Sequence, residues 1–263
     1  MPYESRGFGR GLFVALWSVA ALGTAACAGQ PDTNASATGA ADTAAAAFDP
    51  RDFNGIWQGA TQDLTANLLP GEEIVLTEYG AQRYRAVDHA KFPGNICLPY
   101  GPNRGMAATN PYMVVQTADT IAVLTEHIDY RVFYMNEKTH PEDILEYPEW
   151  MGHSIGRWEG DTLVVDTVAI RPESWLDRGG LEHSDKLHLI ERFQKTSKDA
   201  FTWTVTVEDP VFFAKPFTYR LNVERLDFPR LIPDRCDDNE VDAEHMLPTP
   251  GAIHKVPPTM PRS

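Results

Sequence analysis

Five of the eight histidines in this chain, His127, His140, His153, His183 and His188, stand in its most strongly patterned stretches, and carboxylates lie close to each. The stretch "EWMGHSIGRWEGDTLVVDT", residues 149–167, carries His153 and Asp166 on either side of a Glu-Gly-Asp turn. A carboxylate beside an imidazole orients the ring and raises its basicity, which suits a general base or a metal ligand. "HSDKLHLIERF" adds His183 and His188. "TEHIDYRVFY" adds His127 with Asp129 and Arg131, and "THPEDILEYPEW" adds His140 just before a proline. Imidazoles and carboxylates from separate elements are the ingredients of a Zn, Fe, Cu or Mn site. No His-x-His or His-x-x-x-His spacing fixes one, however.

Three uses stay open for these groups. A divalent metal ion would draw on His140, His153, His183 and His188. A metal-free acid–base site would use His153 with Asp166, or His188, as its catalytic groups. Histidines that only hydrogen-bond are the third. Trp150, Arg131, Arg157 and His127 complete the set as ligand-binding candidates, Trp150 because it enters the "EWMGHS" stretch as a pocket wall. A serine hydrolase is disfavoured, because no Gly-x-Ser-x-Gly elbow exists and Ser154, next to His153, points to the opposite face of a strand.

The elements that must position these groups read as strands. "GIWQGA", "YMVVQTADTIAVLTEHIDYRVFYM", "SIGRWEGDTLVVDT", "KLHLIERFQKTSKDAFTWTVTVED" and "FTYRLNVERL" are rich in β-branched and aromatic residues, and turn residues separate them. If the tight turn of residues 153–167 is Glu159-Gly160, His153 lies opposite Asp166. If it is Gly160-Asp161, Asp166 lies opposite Ile155. Either way His153 and Asp166 share a face, because directly paired residues point the same way and the side-chain period is two. A helix is expected at "LTEYGAQRYRAVDHA" with Thr77 as its cap, and a shorter one at "RPESWLD". About seven to nine antiparallel strands with one or two short helices predict a barrel or sandwich and not an α/β sheet. If the histidines form a site in a barrel, His153 should face the interior near at least one of His127, His140, His183 and His188.

The ends set the compartment. Arg6 and Arg10 precede the apolar run "GLFVALWSVAALGTAA", which gives residues 1–26 the form of an export leader. Residues 27–47 contain no large apolar side chain and read as a tether. Residues 48–240 form the folded domain, and 241–263 a proline-rich tail. The net charge of −14 leaves no basic stripe for nucleic acid and repels anionic lipid. Two of the three cysteines, Cys97 and Cys236, fall in the domain, where an oxidising envelope favours a disulfide between them.

Three resemblances add to this. "GTAAC" is similar to the lipobox of bacterial lipoproteins, with Thr24 where that family prefers Leu. It implies lipidation of Cys27 and contact with a membrane through that lipid alone. "FNGIWQG" and "RWEGDTLVV" resemble the Gly-x-Trp start and hairpins of lipocalin-like barrels. The pattern from "LTEYGAQRY" through "CLPYG", "WMGHSIGRWEGDTLVVDT" and "HSDKLHLIERF" to "RCDDNE" resembles a large uncharacterised family of secreted bacterial proteins. The resemblance implies a calycin-type barrel in the cell envelope or periplasm, and such barrels hold a small apolar ligand inside. The expected function is binding of a hydrophobic or aromatic small molecule in a His- and carboxylate-lined barrel pocket. The alternatives are a metal-dependent or His–Asp acid–base enzyme acting on such a compound, and a structural envelope lipoprotein.

Overall fold

The structure, a computed structural model, describes residues 48–59, 63–236 and 258–261. The leader at 1–26 and the tether at 27–47, Cys27 included, lie outside the described residues. Nine strands close into one barrel in sequence order. They are β1 (Gly55–Gln58), β2 (Pro111–Gln116), β3 (Thr120–Thr125), β4 (Tyr130–Tyr134), β5 (His153–Glu159), β6 (Thr162–Val168), β7 (His188–Ser197), β8 (Ala200–Glu208) and β9 (Phe217–Leu226). β1 closes the ring on β9. The expected all-β barrel is therefore present, with one departure from the expected antiparallel order: β4 and β5 pair in parallel. A parallel pair needs a long crossover, and residues 135–152, which carry His140, provide it.

Alternation along the strands builds the interior. Leu189, Phe193, Phe201, Trp203, Val205, Tyr219 and Leu221 are all at most 2% exposed. Phe193 and Trp203, directly paired across β7 and β8, stack with ring centroids 5.8 Å apart. Such cross-strand aromatic pairs are the unit of sheet stabilisation, each contributing roughly 0.2–1 kcal/mol.

Helix α1 (Glu78–Arg85) starts where the sequence indicates, with the Thr77 hydroxyl accepting from Gly80 N at 3.0 Å. It stops short of the expected Ala90, because the Asp88 carboxylate accepts from Ala90 N and folds a new short turn. "RPESWLD" forms turns and not a helix, since Asp177 accepts from the backbone of Gly179 and Leu181. Helix α2 (Gly101–Ala107) has no periodic signal in "GPNRGMA". Burial stabilises it, since Asn103, Arg104 and Met106 are all at most 4% exposed. Gly59 is required where β1 passes this helix, because a Cβ there would sit 2.5 Å from the Met106 carbonyl oxygen. Near the chain's end, Thr259 pairs with the backbone of Ile74 and Leu76, and Met260 packs against the core.

Cys97 and Cys236 form a disulfide, closing a loop with a sequence separation of 139. Replacing both with serine should lower stability by about 2–4 kcal/mol, mainly by freeing the unfolded chain. Urea unfolding of the double variant checks this. An unchanged midpoint would mean that the bridge merely ornaments a fold held elsewhere.

Candidate functional site

The turn of the β5–β6 hairpin is Gly160-Asp161, so Ile155 pairs with Asp166. Gly152, just before His153, holds φ at +66°, and a Cβ there would meet Ile170 and the Val168 carbonyl. Only glycine suits that entry. Ser154 and Gly156 point inward and are buried, which turns His153 and Ile155 outward. On β6, Leu163, Val165 and Thr167 point in and Asp166 out, and on β7 Leu189 and Glu191 point in and His188 out. His153 therefore lies on the outer face of the barrel, not in its interior. The interior takes Ser154 because that side chain belongs to a buried polar network, and the period of two then decides where His153 goes.

On that outer face six side chains join into one chain of contacts. His153 Nε2 lies 3.3 Å from Glu137 Oε2, and His153 Nδ1 lies 2.8 Å from His140 Nδ1. His140 Nε2 reaches Asp166 Oδ1 at 2.9 Å. The same oxygen takes His188 Nε2 at 3.0 Å, and His188 Nδ1 meets Glu208 Oε2 at 3.1 Å. The β4–β5 crossover supplies Glu137 and His140, while β5, β6, β7 and β8 supply the other four. Tyr134 stacks on His153 at 5.0 Å between centroids. The two ends, Glu137 and Glu208, are 36% and 40% exposed at the side chain, whereas His140 in the middle is 18% exposed. The chain is open to solvent at its ends and covered at its centre.

His188 donates from both nitrogens, to Asp166 and Glu208, and so is an imidazolium. The hydrogen bond to Asp166 raises its pKa first of all, against burial and with help from Glu208. Burial pushes the Asp166 carboxyl up, but the hydrogen bonds from His188 and His140 outweigh it and hold it below its ordinary value. Asp166 accepts from His140 Nε2–H, and the facing Nδ1 atoms of His140 and His153 share one hydrogen bond. Burial, helped by His140, pushes the His153 pKa down against the pull of Glu137 and Glu149. Three carboxylates against the imidazolium of His188 leave the site net negative.

The remaining candidates stand elsewhere. His183 is 3% exposed, with Nδ1 donating to the Ser184 carbonyl and Nε2 facing the Ser174 hydroxyl at 2.9 Å. Burial keeps it neutral by lowering its pKa. It does not join His140, His153 and His188, because the loop before β7 turns it into the core. Arg131, a ligand-binding candidate, is 1% exposed inside the barrel. It pairs twice with Glu191 and donates to Ser154 and Thr167. Arg157 is an exposed partner of Glu159. Trp150 lies under the Arg171 guanidinium, 4.5 Å from ring centroid to cation. His127 sits at the β3–β4 turn, near Asp234. Glu137, Tyr134 and Glu208 were not among the candidates. The β7–β8 register signals Glu208, since it pairs directly with His188, but nothing in the sequence marks Glu137.

Two cavities inside the barrel are about 10 Å³ each, one lined by Phe53, Tyr112, Phe133 and Phe193 and the other by Asn103, Arg104 and Tyr219. Each has room for one water at most. The imidazole–carboxylate set is thus separate from the lumen. Its nitrogens and oxygens also run in a line: among the described residues, the only three metal-capable groups whose ligand atoms all lie within 4.8 Å of one another are Glu126, His127 and Asp234.

No family model matches this chain, and no curated protein matches it. Among solved structures, a point variant of the fluorescent protein UnaG aligns over 67% of this chain and 97% of that chain, with 15% identity and a TM-score of 0.30. At that level no ligand and no residue role passes from one to the other.

Proposed function

We propose that this protein is an exported, lipid-anchored barrel whose outer-face imidazole–carboxylate chain binds a neutral, proton-donating aromatic compound and relays its proton. One observation carries the reading. Six titratable side chains from five elements join end to end, and every imidazole among them spends both nitrogens on its neighbours. A histidine that serves only the fold needs one partner. A proton delivered to His153 Nε2 can shift through the facing Nδ1 atoms to His140 and on toward Asp166, each imidazole releasing one proton as it gains one, and His188, protonated at both nitrogens, stops it there. The net negative charge disfavours anionic ligands, and the Tyr134 ring beside His153 offers an apolar wall. The small interior cavities favour this outer seat over one in the lumen.

Export rests on the leader pattern of residues 1–26 and lipidation on the "GTAAC" context of Cys27. The Cys97–Cys236 bridge suits an oxidising compartment outside the cytoplasm. Membership of the uncharacterised secreted family is part of the same proposal and rests on the quoted motifs.

4-Nitrophenol tests the site, because its absorbance separates phenol from phenolate. The protein should perturb that absorbance saturably, and His153→Ala should weaken the effect by at least about tenfold, the equivalent of one lost hydrogen bond of about 1.4 kcal/mol. The variant should keep its fold, since the inward face of β5 is untouched. Absence of any saturable change, or an equal change in the variant, sinks the reading.

A further inference from the structure

At the same end of the barrel as the relay, the β3–β4 turn places Glu126 and His127 side by side. The turn is fixed by mutual Thr125–Asp129 hydrogen bonds at 3.2 Å and by Ile128 at φ +66°. The segment before Cys236 crosses here, held by Asp234 N donating to the Glu126 carbonyl at 2.7 Å and by the disulfide two residues on. One ligand atom each from Glu126, His127 and Asp234 lies within 4.8 Å of the others. A cavity of about 70 Å³ adjoins the cluster, lined by His127, Asp129, Tyr100 and both cysteines.

His127 is the telling group. Its side chain is only 17% exposed, yet neither ring nitrogen has a hydrogen-bond partner among the described residues. Nε2 is buried without one, and Nδ1 stands 3.7 Å from Asp234 Oδ2, beyond hydrogen-bond reach. Such an imidazole is costly to leave unpaired. A separation of about 3–4 Å is what two ligands have when each lies about 2.1 Å from a shared cation. Asn110 Nδ2 donates to Glu126 Oε1 and orients that carboxylate, as groups behind a metal ligand do.

We infer that Glu126, His127 and Asp234 form a divalent-cation site, and that the Cys97–Cys236 disulfide assembles it by delivering Asp234. One imidazole with two carboxylates suits a borderline first-row ion such as Zn²⁺, Co²⁺ or Mn²⁺. A calcium site would be built wholly of oxygens and a Cu(I) site of thiolates. Three protein ligands leave at least one position for water. The site is independent of the relay and shares no residue with it.

Co²⁺ titration of the chelator-treated full chain decides the matter, because its visible spectrum reports nitrogen and oxygen ligands and its thiolate charge-transfer band would expose an adduct at Cys27. The expected result is one equivalent bound without a thiolate band. Asp234→Asn and His127→Ala should each weaken it by at least about tenfold, and Cys97→Ser with Cys236→Ser should do so too. Binding should persist in a His140→Ala, His153→Ala, His188→Ala triple variant, which separates this site from the relay. Thermal unfolding confirms that each variant is folded. If the double cysteine variant does not fold, Asp234→Asn, on an exposed side chain, still decides. No bound Co²⁺, or binding unaffected by Asp234→Asn and His127→Ala, or binding lost only in the triple histidine variant, overturns the inference.

Discussion

Replacing Glu191 with alanine should destabilise the protein by about 3–5 kcal/mol, because it strands a buried charge. Arg131 and Glu191 both have side chains that are 0% exposed and are paired at two points inside the barrel. Glu191 also accepts from Trp203 Nε1 at 3.0 Å and from Thr167 Oγ1 at 3.1 Å. Truncation leaves the guanidinium without its counter-charge and two further donors without an acceptor. Arg131→Met combined with Glu191→Leu should cost much less than either single truncation, since a buried ion pair rarely stabilises more than well-packed apolar groups of similar size. Urea unfolding of the three variants measures this. A loss below about 1 kcal/mol for Glu191→Ala would mean that water reaches the pair.

This network also matters outside the barrel. Ser154, Thr167 and Glu191 are inward partners of Arg131, and each is sequence neighbour to an outward residue of β5, β6 or β7. A slip of one residue would exchange the faces of a strand. By fixing which residues point in, the Arg131 network fixes His153, Asp166 and His188 as the set that points out. Expected destabilisation of Glu191→Ala should therefore be accompanied by disorder of the outer chain.

How much of this was legible follows from the same alternation. The shared face of His153 and Asp166 is a consequence of hairpin pairing and holds in either register. An all-β domain of seven to nine strands follows from runs of β-branched and aromatic residues cut by turns, but that pattern leaves barrel and sandwich open and does not show the parallel β4–β5 pair. Which face looks inward is different, because the set His153, Ile155, Arg157 and the set Ser154, Gly156, Trp158 are equally mixed in polarity. That choice depends on Arg131 and Glu191, two charged residues that average behaviour places at the surface. His140 and Glu137 come from a crossover whose path no periodicity describes. The same holds for α2, a glycine- and proline-containing segment that becomes helical because the barrel encloses it. The disulfide could be read from cysteine count and compartment, since no other pairing was open to the domain.

Asp166→Asn should cut the outer chain at its centre while changing one atom. The carboxylate oxygen Oδ1 accepts from both His140 and His188. An uncharged amide cannot hold both as charge-assisted partners, and such bonds are worth about 1.5–3 kcal/mol. Binding of 4-nitrophenol should weaken by about 10- to 100-fold. A merely structural Asp166 would not move the pH dependence, but a relay member must. In the parent protein the imidazolium of His188 outlasts its ordinary pKa of about 6.5, being held first by its hydrogen bond to Asp166 and then by Glu208, against burial. Stability linked to it is complete below that ordinary value and is lost as pH rises through the raised one. His153 behaves in the opposite sense: burial lowers its pKa, so its neutral, proton-accepting form survives as pH falls through 6.5 and fails only at the lowered value. Binding plotted against pH should thus have an acid limb below 6.5 set by His153 and an alkaline limb above it set by His188. Asp166→Asn should bring the alkaline limb back toward 6.5 and leave the acid limb near its place, because Asp166 does not touch His153. Imidazole proton shifts in NMR titrations assign each limb to its residue. If both limbs stay fixed in Asp166→Asn, His188 and His153 titrate independently of the carboxylate between them, and the six side chains are neighbours and not a relay.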